Sequence, residues 1–500
     1  MPQFGNISVA VIRPDDEGKM QTKKAASGQD LGTFDVTNLV VGSIIGADVY
    51  VATAIGARLV GPASLIVWVL AGLMAGVIAI SFAHCVMLVP KVGGPYAYVK
   101  EASGPFGGFI VGWGLLLAEW FSLAVFPVAF AQYFVSFFPG LDALGVAVLK
   151  GFFIVIILVT NIVGVKTAGR VNDVLTIAKL LPLLLVIIGG IAFIGLQPGS
   201  VVSNFTPFAT GGIGAFGQAL VLIFWAYAGF ELSTLPADEV RQPERTIPKA
   251  IALGMLIVTA FYLLTNFMVI GSVNQSTLSA SGSPLIDAAV SLFSSPAILT
   301  TVVVIVVGAG ALLSITGADE SGTIGTSRLA YAMSIDGLLP KVFSRTQKKV
   351  GTPYLGLVIL CSTAYVASLI GGLSALINSS VFLLAVAYLA TCISAILLGK
   401  RHPDVSMKFR GRVAVPALGA VFSCVLIVLV SPLQVVISLA LLAVGIPIYA
   451  FFSPKEELKE LKELFLSPGE IRKRAHRQAS RFLAYPIFHI RMWLHRRSSG

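Results

Sequence analysis

Charge is scarce in this chain. Of its 500 residues only 12% are Asp, Glu, Lys or Arg, against about 25% in soluble globular domains, and the mean hydropathy is +0.89. That excludes a soluble globular fold. Cysteine is scarcer still: Cys85, Cys361, Cys392 and Cys424 lie far apart in apolar segments, which excludes a zinc knuckle or disulfide framework and leaves buried packing. An early apolar run is also missing. Residues 1–33 are polar and mixed in charge (Arg13, Asp15, Asp16, Glu17, Lys19, Lys23, Lys24, Asp30), so no cleavable signal peptide is expected and the first apolar run is expected to serve as its own insertion signal.

Catalytic motifs are lacking as well. There is no G-x-S-x-G turn, no H-E-x-x-H pair and no P-loop, and the one G-x-G-x-x-G match, Gly212 to Gly217, has no strand before it. No enzyme activity, cofactor or metal is expected. The net charge of +11 does not point to nucleic acid, because its positive residues fall in loops and a tail beside apolar runs.

Apolar residues are abundant, at 56%, and are gathered into runs of bilayer-spanning length, roughly 20 residues each. Twelve spans are expected, near 34–58, 62–88, 106–138, 146–165, 171–195, 213–236, 247–272, 285–318, 354–373, 378–399, 413–430 and 433–452. The fold class is therefore an all-α polytopic membrane protein. Lys and Arg mark cytoplasmic loops. They occupy every second loop (Lys91 and Lys100; Lys166 and Arg170; Arg241, Arg245 and Lys249; Arg328 to Lys349; Lys400 to Arg412), whereas the alternate loops hold little beyond Arg58 and Lys150. Both termini are expected in the cytoplasm. Three Asn-x-Ser/Thr triplets, at Asn204, Asn274 and Asn378, fall on the other side. Residues 453–500 form a basic amphipathic tail, with eleven Lys and Arg against five Glu, expected in the anionic headgroup layer of the cytoplasmic leaflet.

Two spans are interrupted. Gly42, Gly46 and Asp48 stand within the first, and Trp225-Ala-Tyr-Ala-Gly229-Phe-Glu231 within the sixth. Glycine eases departure from helical geometry, while a carboxylate in hydrocarbon costs about 2.5–3.5 kcal/mol. Five spans separate the interruptions, so the second set of five enters the membrane inverted. That predicts an inverted repeat of 34–195 against 213–399, with 413–452 outside it, and paired broken helices point to a mid-membrane substrate site. The Gly72/Gly76 and Gly108/Gly112 pairs are instead expected to pack helices closely.

Four motifs, in order, resemble the amino acid–polyamine–organocation (APC) transporter family: Gly42-Ser-Ile-Ile-Gly-Ala-Asp-Val-Tyr-Val51; Gly93-Gly-Pro-Tyr-Ala-Tyr98 with Gly104-Pro-Phe-Gly107; Trp225 to Leu232 with Asp238 to Pro248; and Arg328 to Pro340. The resemblance implies a LeuT-like five-plus-five fold and alternating access in the cell membrane. The cargo it implies is an amino acid or related amine. It places the amino group on carbonyls at Ile44, Trp225 and Ala228 and the carboxylate on amides near Gly46, Ala47 and Asp48, with Gly229 at the second break. Trp225 and Tyr227 are expected to close over the substrate. Asp48 departs from the pattern, since the family usually has glycine there. A carboxylate at that position opposes a substrate carboxylate, so either Asp48 is protonated or turned away or the substrate is more positive than a zwitterion, which keeps a polyamine or cationic amino acid exchanger as an alternative, together with a non-transporting sensor.

Lys179, in the fifth span, suits reversible protonation because desolvation disfavours a charged ammonium. In proton-coupled relatives a lysine of this span resembles a replacement for a sodium ion, which Ser314 and Thr316 would otherwise help to hold. Glu119 and Glu231 are the other deep carboxylates, expected to pair with Lys179 or to exchange a proton. Proton symport is the resulting expectation, and a permanent ion pair between helices is the alternative. Asp319 and Glu320 are expected near the cytoplasmic end of the eighth span in a structural role. His84 and Trp120 are expected to pack.

Overall fold

A computed structural model of the chain describes residues 31–91, 93–163, 168–234, 240–347 and 353–453. The segment 1–30, the tail from residue 454, and Asp238 and Glu239 lie outside these residues, so the cytoplasmic and headgroup assignments of the two ends rest on sequence.

Backbone groups in hydrocarbon must pair within their own segment, and the described apolar runs are helical throughout. The first is split into α1 (Thr33–Ile44) and α2 (Ala47–Val60), and a turn at Gly61–Ala63 leads into α3 (Ser64–Leu88). The short α4 (Gly94–Ser103) precedes α5 (Pro105–Phe137), α6 (Ala143–Val163) and α7 (Ala168–Leu196). After α8 (Pro198–Asn204), α9 (Ile213–Phe224) runs into tight turns at Trp225–Tyr227 and Phe230–Thr234, and α10 (Pro243–Ser272) follows. The next are α11 (Gln275–Ala280), α12 (Pro284–Leu292) and α13 (Ala297–Ile335). The chain continues through α14 (Tyr354–Ile370), α15 (Leu373–Arg401), α16 (Pro403–Ser406), α17 (Ala414–Leu429) and α18 (Pro432–Phe452). Among the described residues nine helical stretches are long and apolar enough to cross a bilayer, and α14 and α17 are shorter apolar helices. This is a polytopic helical membrane protein.

α5 packs on α13 and α15, α10 on α1 and α3, and α17 on α15. Outward-facing positions stay apolar, as with Ile66, Val69 and Leu73 on α3 and Val421, Val425 and Val428 on α17. An exposed apolar surface of that kind suits lipid rather than water. Gly72 and Gly112 admit close neighbours, since an added Cβ would stand 3.0 Å from the Tyr227 hydroxyl or 2.9 Å from the Tyr96 ring, but Gly76 faces open space. His84 stacks on Phe409 at 4.4 Å, a packing role. Trp120 donates to Thr363 Oγ1 at 2.9 Å.

Two sequence boundaries need correction. The run placed at 285–318 is the short α12, a break, and α13, which continues to Ile335. Buried Asp319, Thr323, Thr326 and Ser327 lower its hydropathy without ending the helix, because they face protein. Asp319 and Glu320 therefore lie within the helix rather than near its end. Similarly, α15 begins at Leu373, so Asn378 sits inside a helix, 7% exposed, and its Nδ2 donates to Ser374 O at 2.7 Å. That position cannot accept a glycan. Asn204 ties to Gly271 O (2.9 Å) and Asn274 caps α11.

Candidate functional site

α1 ends where Ile45 turns extended (φ −75°, ψ 103°) and Gly46 adopts φ −144°, ψ −138° before α2 begins. The second interruption follows α9. Ala228 is extended (φ −69°, ψ 159°) and Gly229 takes φ +113°, a conformation that side chains disfavour. The two interruptions touch. Ser43 Oγ donates to Gly229 O at 3.1 Å, and a Cβ on Gly229 would stand 2.6 Å from Ser43 O. Residues 186 apart in sequence thus meet at one point, where both helices have stopped.

Carbonyls left unpaired by the first break are met by side chains from other helices. Lys179 Nζ, on α7, donates to Gly42 O at 3.1 Å, and the Tyr262 hydroxyl, on α10, donates to Ile44 O at 3.2 Å. Trp225 O accepts from Ala228 N within its own turn at 3.0 Å. Lys179 is 4% exposed and lies against α13, where a Cβ on Gly317 would approach its Cε to 3.0 Å. Its charge feels Asp48 and Glu320, yet its hydrogen bond goes to a backbone carbonyl. The lysine main chain is held too, since the Tyr50 hydroxyl donates to Lys179 O at 3.3 Å and Tyr133 donates to Tyr50 O at 2.9 Å. Ser314 is buried, and Thr316 bonds back to Leu312 O at 2.7 Å.

Glu119 and Glu231 are 7% and 1% exposed and lie close enough for their charges to act on one another, away from Lys179. Glu231 Oε2 accepts from Tyr388 (2.9 Å) and from Gly229 N (3.0 Å). The second break is thereby joined to the carboxyl pair through a backbone amide.

Trp225 and Tyr227 are both buried. Trp225 Nε1 donates to Ser122 Oγ at 3.0 Å, which in turn meets Ser380 Oγ at 2.9 Å. Tyr227 turns instead toward α3, donating to Trp68 O at 2.9 Å and packing on Trp68 and Tyr262. The two ends of α15, some 40 Å apart at about 1.5 Å per residue, differ. Near its start lies a cavity of about 290 Å³ lined by Arg58, Gln132, Ser279, Ser281 and Ser374. Near its end the helices are tied to one another: Arg401 donates to Glu101 O (2.7 Å) and Ala102 O (2.9 Å), and Lys100 pairs with Asp336 at 2.9 Å.

Residues 31–452 match the amino acid permease family, a span that includes both breaks and all of α1 to α18. The chain belongs to that family. It is a permease, not an enzyme. The permease is 30% identical over 449 residues to the branched-chain amino acid permease BcaP of Bacillus subtilis, a match covering 85% of this chain and 93% of that one. It is 28% identical over 411 residues to the methylthioribose transporter of the same organism (78% and 85% covered). To the mouse large neutral amino acids transporter small subunit 2 it is 27% identical over 454 residues (87% and 83% covered).

Glycine and charge in apolar runs located both breaks, Lys179 and the two glutamates. The tyrosines that complete the hydrogen bonding around the two breaks, Tyr50, Tyr133, Tyr262 and Tyr388, carried a weaker signal. A phenol in an apolar run must bury its hydroxyl against an acceptor, but which acceptor depends on helix packing.

Proposed function

We propose that this permease is a secondary active transporter that moves amino acids or related amines across the cell membrane by alternating access, driven by proton symport. It crosses the membrane twelve times as a five-plus-five inverted repeat, 34–195 against 213–399, with both termini in the cytoplasm and the basic tail on anionic headgroups. The observation that carries this reading is the meeting of the two broken helices at Ser43 and Gly229, with the Lys179 ammonium seated on the carbonyl of Gly42 just before the first break. A protonated Lys179 ties α7 to α1. Loss of its proton removes the donor for Gly42 O and the attraction to Asp48 and Glu320, which frees α1 to move against α7 and α13. Glu119 and Glu231 share a second exchangeable proton beside the other break. The cavity at one end of α15 and the ties at the other support a carrier held in one of two access states. The relatives' names cover amino acids and methylthioribose, so family membership leaves the cargo to the site.

The test is uptake in proteoliposomes with an imposed proton gradient. The wild type is expected to accumulate labelled substrate, whereas Lys179→Ala abolishes gradient-driven accumulation yet retains a substrate-induced thermal shift. Unchanged proton-driven uptake in Lys179→Ala would remove the coupling assignment. Counterflow separates a carrier, which exchanges, from a sensor, which binds without flux.

A further inference from the structure

The connection between α15 and α17 carries cations that the transport scheme does not use. Between Arg401 and Ala414 the chain leaves one apolar helix and enters the next, so this stretch stands at the membrane boundary. Lys408, Arg410 and Arg412 are exposed within it, and the described salt bridges, Lys91–Glu101 and Lys100–Asp336, involve none of them. Asp404 is the one carboxylate between residues 400 and 414. Cations in a loop follow from topology alone. Exposed apolar side chains beside them do not, and here Met407 is 62% exposed and Val413 51%. Val413 leads into the outward stripe of α17, Leu418, Val421, Val425 and Val428, which recurs at helical spacing on one face. The three cations thus stand between two apolar side chains where a lipid-facing surface begins.

The turn that displays them is held in shape. Met407 N donates to Pro403 O (2.8 Å), Lys408 N to Val405 O (3.1 Å) and Phe409 N to Ser406 O (3.1 Å). Gly411, at φ +80°, turns the chain toward α17, where Val415 N donates to Gly411 O at 2.9 Å. Phe409 anchors the turn inward: its ring stacks on buried His84 of α3, centroids 4.4 Å apart and planes 4° from parallel, and Ser406 Oγ lies 3.3 Å from His84 Nε2. Its sequence neighbours Lys408 and Arg410 stay exposed. Guanidinium groups match phosphate oxygens in pairs and an ammonium adds a point charge, while apolar side chains next to such cations favour the boundary between headgroup and acyl chain.

We propose that residues 407–413 bind the headgroup phosphate of an anionic phospholipid, with Lys408, Arg410 and Arg412 on the phosphate and Met407 and Val413 against the acyl chains. Through Phe409 the bound lipid steadies the end of α3 against the α15–α17 connection. The site is separate from the basic tail that follows α18, and it requires a membrane-embedded chain but not the coupling scheme.

Thermal shift on the purified full chain, in a neutral detergent and titrated with dioctanoyl phosphatidylglycerol or dioctanoyl phosphatidylcholine, tests it. The wild type is expected to respond to the anionic lipid at much lower concentration than to the zwitterionic one. The combined variant Lys408→Gln/Arg410→Gln/Arg412→Gln is expected to need roughly fivefold more anionic lipid for each cation removed, about a hundredfold in all. Arg472→Gln/Lys473→Gln/Arg474→Gln, in the tail, is expected to leave the response unchanged. Met407→Ser/Val413→Ser is expected to weaken it with all three cations present, and inorganic phosphate is expected to give no comparable shift. Added salt repeats the charge test on the wild type without any substitution, since screening weakens exposed charge pairs. Equal responses to the two lipids, a response insensitive to salt, loss in the tail variant but not in the turn variant, or a matching shift from inorganic phosphate would each overturn the assignment.

Discussion

Replacing Gly229 by alanine tests the junction on which the site depends. At φ +113° any side chain strains the backbone, at a cost of order 1–3 kcal/mol. The added methyl would also stand 2.6 Å from Ser43 O and 3.0 Å from Ser43 C. Those are backbone atoms at the end of a packed helix, unable to swing aside as the tip of a side chain can, and overpacking of this kind costs about 1–3 kcal/mol more. The combined loss is about 2–6 kcal/mol, a shift of roughly 30-fold or more in the folded-to-unfolded ratio. Gly76→Ala is the matched control, since its Cβ meets nothing within 4 Å and alanine favours the interior of α3. Thermal unfolding of both variants in detergent, with counterflow on the same preparations, is the assay. Gly229→Ala is expected to melt several degrees lower and to lose exchange, while Gly76→Ala matches the wild type. Equal melting of Gly229→Ala and wild type would show that the two breaks do not abut.

The Tyr388–Glu231 hydrogen bond predicts a loss on substitution. Tyr388→Phe keeps the ring and removes the hydroxyl from the buried Glu231 carboxyl group, at a cost of about 1–3 kcal/mol, and thermal unfolding equal to that of the wild type would refute the contact. At the tied end of α15, the Lys91 hydrogen bond and charge hold the exposed Glu101 carboxyl below the ordinary carboxylate range. A depressed carboxylate contributes stability above its unfolded pKa, and that contribution is lost as pH falls through the folded value. The melting temperatures of wild type and Lys91→Met should therefore differ slightly near neutrality and converge in acid below the carboxylate range. A gap that persists through acid would contradict the pairing.

Hydropathy was enough to place helix in the described apolar runs, since a chain in lipid has few other ways to pair its backbone. It failed along Asp319 to Ser327 because it counts polarity without knowing what polarity faces. The same blindness put Asn378 at the outer end of a helix that begins at Leu373. Glycine beside a misplaced charge was a stronger guide, because both are costly in a spanning helix, and the runs around Gly46 and Gly229 that it marked are where the helices stop.

Partnership was another matter. By sequence, Lys179 had Glu119 and Glu231 to choose from and took a carbonyl. Glu231 took the Tyr388 hydroxyl and the Gly229 amide, Tyr227 turned to α3, and the carbonyl of Ile44 was met by Tyr262 from α10. Composition and periodicity act along one chain and decide where helices run and where they break. Distances across helices decide which buried group satisfies which. The sequence by itself determined a polytopic helical permease with two interruptions. Only the packing of α1, α7, α10 and α13 decided that Lys179 holds the carbonyl of Gly42 before the first break and that Tyr262 holds that of Ile44.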